Sequence, residues 1–161
     1  MSEPLIRPIR AEDDAAVAVV IRDVMASFGA TGPEYSSSDP EVGAMSAAYA
    51  GARSAYFVLE DGGRVIGCGG IAPLAGAEPD VCELRKMYLL PAARGRGLGE
   101  RMLHHCLDAA RGRGYGRCYL ETLSGMDAAQ KLYAKAGFTK LAGPLGSSGH
   151  SGCNWHYLLE L

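Results

Sequence analysis

The residues best suited to chemistry form a short glycine-rich loop, RGRGLG, over residues 94–99. Pro91 ends the extended segment before the loop, because proline cannot donate to a sheet ladder, and a helical pattern begins where the loop ends. A helix start presents unpaired backbone N–H groups, and glycines let phosphate oxygens approach that backbone closely. Arg94 and Arg96 add positive charge at the same place. The loop is therefore predicted to bind a phosphate or pyrophosphate group.

The spacing of the glycines distinguishes between kinds of phosphate-binding loop. A P-loop needs Gly-Lys followed by Ser or Thr, and this loop contains no lysine. The dinucleotide pattern G-x-G-x-x-G fails because Glu100 or Met102 stands where its third glycine belongs, although Glu121 lies about where a ribose-binding acid is found. The pattern that is met is Arg/Gln-x-x-Gly-x-Gly/Ala, beginning at Arg94. A tight turn with solvated arginines stays open as the alternative without function.

The composition is that of an ordinary globular protein, with 48% hydrophobic and 21% charged residues in a chain of 161. A net charge of −2 gives no electrostatic argument for binding nucleic acid or an anionic membrane surface. The five cysteines are scattered and form no C-x-x-C, which favours free thiols in a reducing compartment over disulfides or a zinc site. Because no signal-peptide core and no apolar run of membrane length is found, the sequence predicts a cytoplasmic protein.

Hydrophobic periodicity and turn residues predict the elements of secondary structure. Strands are predicted over residues 5–10, 56–60, 64–71, 81–90, 117–122 and 153–161, with a short one near Phe138, and helices over residues 11–28, 40–51, 98–110 and 127–136. Ser38-Asp39-Pro40-Glu41 has the form of a capping box for the second helix. Asp61-Gly62-Gly63 supplies the positive φ angles that a hairpin turn requires. The strands on either side of the third helix are predicted to be parallel neighbours, since such crossovers are right-handed.

This order of elements, β-α-α-β-β-β-α-β-α-β-β, resembles the GNAT superfamily of N-acetyltransferases over almost the whole chain. The loop at Arg94 resembles the family's pyrophosphate-binding signature, Leu132-Tyr133 with Gly137-Phe138 resembles its L-Y-x-x-x-G-F helix end, and Ile66-Gly67 matches its V/I-G step. Met126 departs from the pattern, because many members carry asparagine there. The resemblance implies a single α/β domain over residues 1–161, with a mixed α+β sheet whose parallel central strands are splayed around the cofactor.

The resemblance implies acetyl-CoA as the cofactor, with coenzyme A as a product and no metal ion. The N–H groups of Met87 and Leu89 point to the same edge of the central strand, so both can pair with the amide-bearing pantetheine arm if that edge is open. The candidate cofactor-binding residues are Met87, Leu89, Arg94, Gly95, Arg96, Gly97, Leu98, Gly99, Glu100, Ala129 and Leu132.

Glu83 and Tyr133 are the candidate catalytic residues. Glu83 lies where several lysine-directed family members hold a glutamate, and the resemblance implies a general base that commonly acts through water. Strand alternation predicts that Glu83 shares a face with Met87 and Leu89. Tyr133 is implied to be a general acid toward the departing sulfur, and a reference pKa of about 10 keeps its phenol protonated at neutral pH. The alternatives are a strand carboxylate paired with Arg85 and an aromatic residue of the core.

Two loops carry further candidates, since loops on a rigid scaffold commonly determine specificity. Glu34, Tyr35 and His150 are candidate contacts of the acceptor. The predicted activity is transfer of an acetyl group to a primary amine by direct attack, without a metal or a covalent enzyme intermediate. The acceptor is a small molecule or a protein, and homodimers are common among similar proteins. The alternative functions are a catalytically silent acyl-CoA-binding sensor or regulatory module and, more remotely, a nucleotide-dependent oxidoreductase.

Overall fold

The computed structural model describes residues 3–161, in which seven strands form one sheet with helices on both faces. The strands are β1 (Leu5–Pro8), β2 (Ala55–Asp61), β3 (Arg64–Pro73), β4 (Val81–Leu89), β5 (Arg117–Thr122), β6 (Thr139–Leu141) and β7 (Trp155–Glu160). The helices are α1 (Asp14–Ser27), α2 (Met45–Ala48), α3 (Leu98–Gly112) and α4 (Asp127–Lys135). The strand order is β1-β2-β3-β4-β5-β7-β6, and β4 and β5 form the parallel pair of this otherwise antiparallel sheet. The predicted order of elements and the mixed sheet are confirmed.

Two apolar layers hold the helices against the sheet. On one face α3 buries the stripe that its periodicity predicted, and α4 adds Tyr133 to the same core. The stripe consists of Leu98, Met102, Leu103, Cys106, Leu107 and Ala110. On the other face α1 packs Val17, Val20 and Ile21 against β2 and β3, together with Met45 of α2. The sheet is thus covered on both sides, which keeps β4 and β5 in the interior.

The hairpin between β2 and β3 forms as predicted. Gly62 and Gly63 have φ angles of 59° and 81°, and Asp61 pairs with Arg64 across the turn. Two consecutive residues with positive φ match the twist of the flanking strands. The hairpin also brings Asp61 within reach of the glycine-rich loop, because Arg96 donates to its carboxylate at 3.2 Å.

The predicted helix over residues 40–51 is wrong in extent. Pro40–Gly43 forms a 3₁₀ turn, and the α-helical part is limited to Met45–Ala48. The predicted capping box does not form either, since the Asp39 side chain makes no cap hydrogen bond and instead accepts from Lys86 Nζ at 2.7 Å. A tertiary ion pair has displaced the local cap. Smaller differences are a first strand that ends at Pro8 and a last strand that begins at Trp155.

A β-bulge interrupts β4 at Lys86, the one non-glycine residue with positive φ (48°) among residues 3–161. Cys68 pairs with Tyr88 and Gly70 with Arg85, so Lys86 and Met87 together oppose a single residue of β3. An extra residue reverses the alternation of side chains beyond it. Leu84 and Met87 therefore both pack on the α3 face, while Tyr88 packs on the α1 face.

The bulge makes one prediction wrong. Glu83 does not share a face with Met87 and Leu89, because the strict period of two holds only up to Lys86. Glu83 lies between Cys82 and Leu84, whose side chains are in the α3 core, and so it points to the opposite face.

The parallel strands β4 and β5 separate halfway along their length, as the family resemblance implied. Their pairing covers Val81 to Glu83 on β4 and Arg117 to Tyr119 on β5. Beyond these residues β4 continues to Leu89 and β5 to Thr122 without a shared ladder. The two strands thus diverge into a wedge that opens toward the glycine-rich loop.

Candidate active site

A cavity of 500 Å³, here called the large cavity, lies at the open end of this wedge. Ten of the eleven predicted cofactor-binding residues line it: Met87, Leu89, Arg94, Gly95, Gly97, Leu98, Gly99, Glu100, Ala129 and Leu132. They come from the end of β4, the glycine-rich loop, the start of α3 and one side of α4. Residues far apart in sequence therefore meet around one opening, which has the size of a small-molecule site.

The glycine-rich loop has the backbone that its sequence predicts. Gly95 and Gly97 have φ angles of 74° and 73°, a region that favours glycine, and Gly97 directly precedes α3. The start of α3 thus offers free N–H groups and its positive dipole end to the large cavity. Arg94 is exposed, lines the cavity, and donates from Nε to the Leu89 carbonyl at 3.1 Å. Its guanidinium forms no ion pair among residues 3–161 and is available to an anion.

Arg96 is the predicted cofactor-binding residue that the structure does not bring to the large cavity. Its guanidinium donates to the Asp61 carboxylate at 3.2 Å and to the Ala92 carbonyl at 3.3 Å. The hairpin turn therefore holds this side chain away from the cavity lining. Sequence spacing alone could not reveal this partner, which lies 35 positions away.

The backbone edge of β4 beyond the bulge faces the wedge. Leu90 N–H donates to the Ile66 carbonyl of β3 at 2.9 Å. Since successive N–H groups of a strand point to opposite edges, those of Leu89 and Met87 point away from β3 and toward the unpaired side. This edge can hydrogen-bond an extended, amide-bearing arm by strand addition, as the sequence predicted.

A second cavity of 40 Å³, here called the small cavity, lies deeper between the diverging strands. It shares four lining residues with the large cavity: Met87, Tyr88, Met126 and Ala129. Its remaining lining includes Glu121 and Thr122 of β5 and Tyr133 of α4. The two cavities thus adjoin, and the deeper one has a few polar residues, Lys86 among them, within a largely apolar lining.

Tyr133 is both a core residue and a lining residue of the small cavity. Its side chain is 6% exposed, and its ring lies 5.8 Å from that of Phe138 and 6.1 Å from that of Tyr157. The Tyr133 hydroxyl has no hydrogen-bond partner among residues 3–161. Within that range the fully buried side-chain atom that lacks a partner is Arg7 Nε, so the Tyr133 hydroxyl is not fully enclosed by protein. Burial raises the pKa of Tyr133, so the phenol keeps its proton. A hydroxyl donor that has no protein partner and belongs to a residue lining a cavity is suited to donate to a ligand atom.

Glu83 is buried but lines neither cavity. Its Oε1 accepts from Arg85 Nε at 2.7 Å, and burial raises the pKa of the Glu83 carboxyl despite this partner. One donor atom each of Glu83, Glu121 and His150 lies within 4.8 Å of the other two. Of these three residues, Glu121 lines the small cavity, so Glu83 lies beside a residue of the cavity lining.

The predicted acceptor contacts belong to two loops that meet. His150 Nε2 lies 2.9 Å from Asp39 Oδ2, and this hydrogen bond raises the pKa of the imidazole. The Glu34 carbonyl accepts from Gly152 N–H at 3.1 Å, and the Tyr35 ring packs so closely on Gly152 that a Cβ there would overlap it. Neither Glu34 nor Tyr35 lines either cavity. Their role is to join the two loops, whereas His150 lies beside the carboxylates.

Comparison with known proteins agrees with the cavity geometry. Residues 21–138 match the family described as the acetyltransferase (GNAT) family. The chain belongs to this family. It is 42% identical to the uncharacterized N-acetyltransferase YjgM of Escherichia coli K12, over 98% of this chain and 95% of that protein. It is an acetyl-CoA-dependent N-acetyltransferase.

Solved structures of acetyltransferases share the fold. A GNAT-family acetyltransferase from Staphylococcus aureus Mu50 superposes with a TM-score of 0.87 at 17% identity and 99% coverage of both chains. The acetyltransferase yncA from Salmonella typhimurium, solved with acetyl-CoA, superposes with a TM-score of 0.77 at 23% identity, over 99% of this chain and 95% of that one. Within residues 3–161, the helices of this acetyltransferase are too short or too polar to cross a membrane.

Several residues of the large cavity were not predicted from the sequence of this acetyltransferase. Val24 and Phe28 at the end of α1 line it, and Phe28 is 40% exposed. No spacing rule connects α1 with α4, since only the fold brings them together. Met126, which stands where many family members carry asparagine, also lines the cavity, and its sulfur accepts from Thr122 Oγ1 at 3.5 Å. A thioether cannot donate, so any contact of Met126 with the cofactor arm is apolar or weakly accepting.

The N-terminus of α3 gives a direct test of cofactor binding. At Gly99 the φ angle is not positive, and an added Cβ would lie 3.6 Å from Leu132 Cδ2, so a larger residue fits the backbone but projects toward the cavity. Gly99→Glu should keep the fold, since acids suit a helix start, but abolish acetyl-CoA binding through bulk and negative charge. Calorimetric titration with acetyl-CoA measures this loss.

Gly51→Glu is the matched control, because a Cβ at Gly51 meets open space and the position is exposed outside both cavities. Its acetyl-CoA affinity should equal that of the wild type. A folded Gly99→Glu protein that binds acetyl-CoA normally would show that the pyrophosphate lies elsewhere.

Proposed function

We propose that this acetyltransferase transfers the acetyl group to a primary amine by direct attack, with Glu83 as the general base and Tyr133 as the general acid. The observation that carries the proposal is the small cavity, which adjoins the large cavity and is lined by the unpartnered Tyr133 hydroxyl and by Glu121, the neighbour of Glu83. In this proposal the cofactor fills the large cavity and its thioester reaches the small one.

The bound cofactor supplies an activated thioester, and residues of this chain hold its pyrophosphate and its pantetheine arm in place. The start of α3 and Arg94 bind the pyrophosphate, and the N–H groups of Leu89 and Met87 bind the pantetheine amides. The arm then runs along the unpaired edge of β4 toward the bulge, where the wedge narrows. This arrangement fixes the direction from which the amine approaches.

Proton transfer precedes and follows the attack. The acceptor ammonium gives a proton to the Glu83 carboxylate, directly or through water, and the neutral nitrogen forms a C–N bond at the thioester carbonyl. The C–S bond breaks with its electron pair on the sulfur, which takes the proton of Tyr133. The nitrogen loses its second proton to solvent, Tyr133 recovers one from solvent, and Glu83 releases its own. The net products are an N-acetyl amide, free coenzyme A and one proton.

The raised pKa of Glu83 suits a base, whereas that of Tyr133 keeps its phenol protonated and makes it a weaker acid. Burial raises the pKa of Glu83, which makes its carboxylate a stronger base than an exposed one. Burial also raises the pKa of Tyr133, and the same surroundings disfavour a bare thiolate, so donation to the sulfur becomes valuable as the C–S bond breaks.

A panel of amines assayed for thiol release from acetyl-CoA tests the activity itself. At least one primary amine should give saturable thiol release and an N-acetyl product by mass spectrometry. If acetyl-CoA binds and no amine is acetylated, the catalytically silent acyl-CoA-binding module becomes the better explanation.

Glu83→Gln should lower kcat/KM and remove its rise with pH. In the wild type the rate should rise as the Glu83 carboxyl ionises, at a pH above the ordinary range of glutamate because burial raises its pKa. The amide cannot accept the proton, so the variant loses this rising limb while its acetyl-CoA affinity stays normal. The exposed Glu160→Gln is the charge-matched control and should keep the wild-type profile. A profile that Glu83→Gln leaves unchanged would assign the base to another group.

Tyr133→Phe should lower kcat by roughly 10²–10⁴-fold, the range that general acids supply. Because the Tyr133 hydroxyl has no partner among residues 3–161, its removal should leave the melting temperature and acetyl-CoA affinity nearly unchanged. Tyr157→Phe is the control, since that ring packs against Tyr133 but lines neither cavity. Equal turnover in wild type and Tyr133→Phe would contradict the general-acid role.

A further inference from the structure

Two buried carboxylates lie side by side where the strands diverge. Glu83 of β4 is 3% exposed, and the Glu121 side chain of β5 is 6% exposed. Their nearest oxygens lie within 4.8 Å of each other and of a ring nitrogen of His150. Two carboxylates this close and this buried repel each other unless a positive charge lies between or beside them.

The nearby lysine and arginine side chains already form ion pairs, and the Glu121 carboxylate has no such partner among residues 3–161. Arg85 pairs with Glu83 at 2.7 Å, and the Lys86 ammonium pairs with Asp39 at 2.7 Å and with Glu41 at 3.0 Å. Among residues 3–161, Glu121 has no lysine or arginine partner.

Its closest basic group is a ring nitrogen of His156, 3.6 Å from Glu121 Oε2. The two Glu121 oxygens accept from hydroxyl groups instead, from Tyr119 at 2.6 Å and from Ser148. These bonds fix the orientation of the carboxylate and leave its charge without a full counter-charge.

The small cavity can hold a ligand next to the charged Glu121 side chain. Glu121 lines it, and so does the largely buried Tyr133, whose hydroxyl is without a partner among residues 3–161. Lys86 also lines this cavity, but its ammonium is held by Asp39 and Glu41. An unpartnered hydroxyl and a carboxylate without a lysine or arginine partner at one cavity indicate a ligand that accepts a hydrogen bond at one point and carries a positive charge at another.

The separation of the three groups fits an ammonium nitrogen. Three atoms that all lie within 4.8 Å of one another can be contacted by one nitrogen, because a point among them lies within about 2.8 Å of each, the length of a charge-assisted N–H···O bond. A primary ammonium has three N–H donors. Asp39 raises the pKa of His150, so the imidazole accepts from an ammonium only when its ring is neutral; it then donates from Nε2 to Asp39 and keeps a lone pair on its other nitrogen.

We propose that Glu121, with Glu83 and His150, binds the acceptor as a primary alkylammonium that carries no carboxylate on the carbon next to the nitrogen. This rests on the proposed function and narrows its acceptor. Glu121 is the specificity-determining residue, and Glu83 both binds the ammonium and takes its proton. An α-carboxylate would meet the buried carboxylates of Glu83 and Glu121 and the half-buried one of Asp39, while Arg85 and Lys86 are occupied. Lysine side chains and polyamines belong to the accepted class, and free α-amino acids do not.

The test compares n-pentylamine with norleucine, which differs only by a carboxylate on the carbon next to the nitrogen. Wild-type enzyme with saturating acetyl-CoA should acetylate pentylamine with a higher kcat/KM than norleucine. Glu121→Gln should raise the KM for pentylamine by about 10–100-fold, the value of a hydrogen bond to a charged group, and leave acetyl-CoA affinity unchanged. The amide can still bond both hydroxyls, so the fold is retained. Glu160→Gln is the charge-matched control.

Calorimetry on the coenzyme A complex gives a readout that does not need turnover. Pentylammonium should bind the wild type and fail to bind Glu121→Gln. If pentylammonium binds in this way but is not acetylated, the ammonium site is supported and the proposed transfer is contradicted. Acetylation of norleucine in preference to pentylamine, or an unchanged KM in Glu121→Gln, would defeat the ammonium site and sustain transfer. Binding of zinc chloride with none of pentylammonium would assign the three side chains to a metal ion.

Discussion

The bulge at Lys86 is the constraint on which the rest of the site depends. A lysine at a φ of 48° is strained by roughly 1–3 kcal/mol, and such strain persists only where the surroundings fix it. Here the buried Tyr56 hydroxyl donates to the Lys86 carbonyl at 2.6 Å, while the ammonium is held between Asp39 and Glu41. The backbone and the side chain of one residue are therefore fixed by partners on β2 and on the loop after α1.

The bulge divides β4 into two parts with different surroundings. Before it, Glu83 points to the face opposite the α3 core, where Glu121 and His150 also gather. After it, Met87 and Leu89 pack on the α3 side, and their unpaired N–H edge faces the large cavity. One strand thus lines the large cavity with its second half and brings Glu83 to Glu121 and His150 with its first half.

This division also separates charge. Arg94 and the positive end of α3 lie at the large cavity, whereas carboxylates from β4, β5 and the loop after α1 gather around His150. The net charge of −2 is a sum over the whole chain and does not show that positive and negative groups lie in two separate regions. The composition therefore gave an argument against nucleic-acid binding but none about the distribution of charge within the site.

The sequence by itself determined the elements whose cause is local. The glycines of residues 94–99 predicted the loop at the start of α3, the apolar stripe predicted α3, and Gly62-Gly63 predicted the hairpin. Each follows from the conformational range of glycine or from helical periodicity. With the family signature these features were enough to identify acetyl-CoA and most residues of the large cavity.

Tertiary structure decided what depends on partners distant in the chain. Asp39 was predicted to cap a helix and instead pairs with Lys86, 47 positions away, while Arg96 turns to Asp61 across 35 positions. The sequence predicted Glu83 on the same face of β4 as Met87, because a strict alternation of side chains along a strand does not reveal a bulge. The bulge exists because Tyr56, Asp39 and Glu41 stabilise it, and no local pattern around Lys86 encodes those contacts. The grouping of Glu83 with Glu121 and His150 likewise required strand register and loop contacts, which only the folded chain supplies.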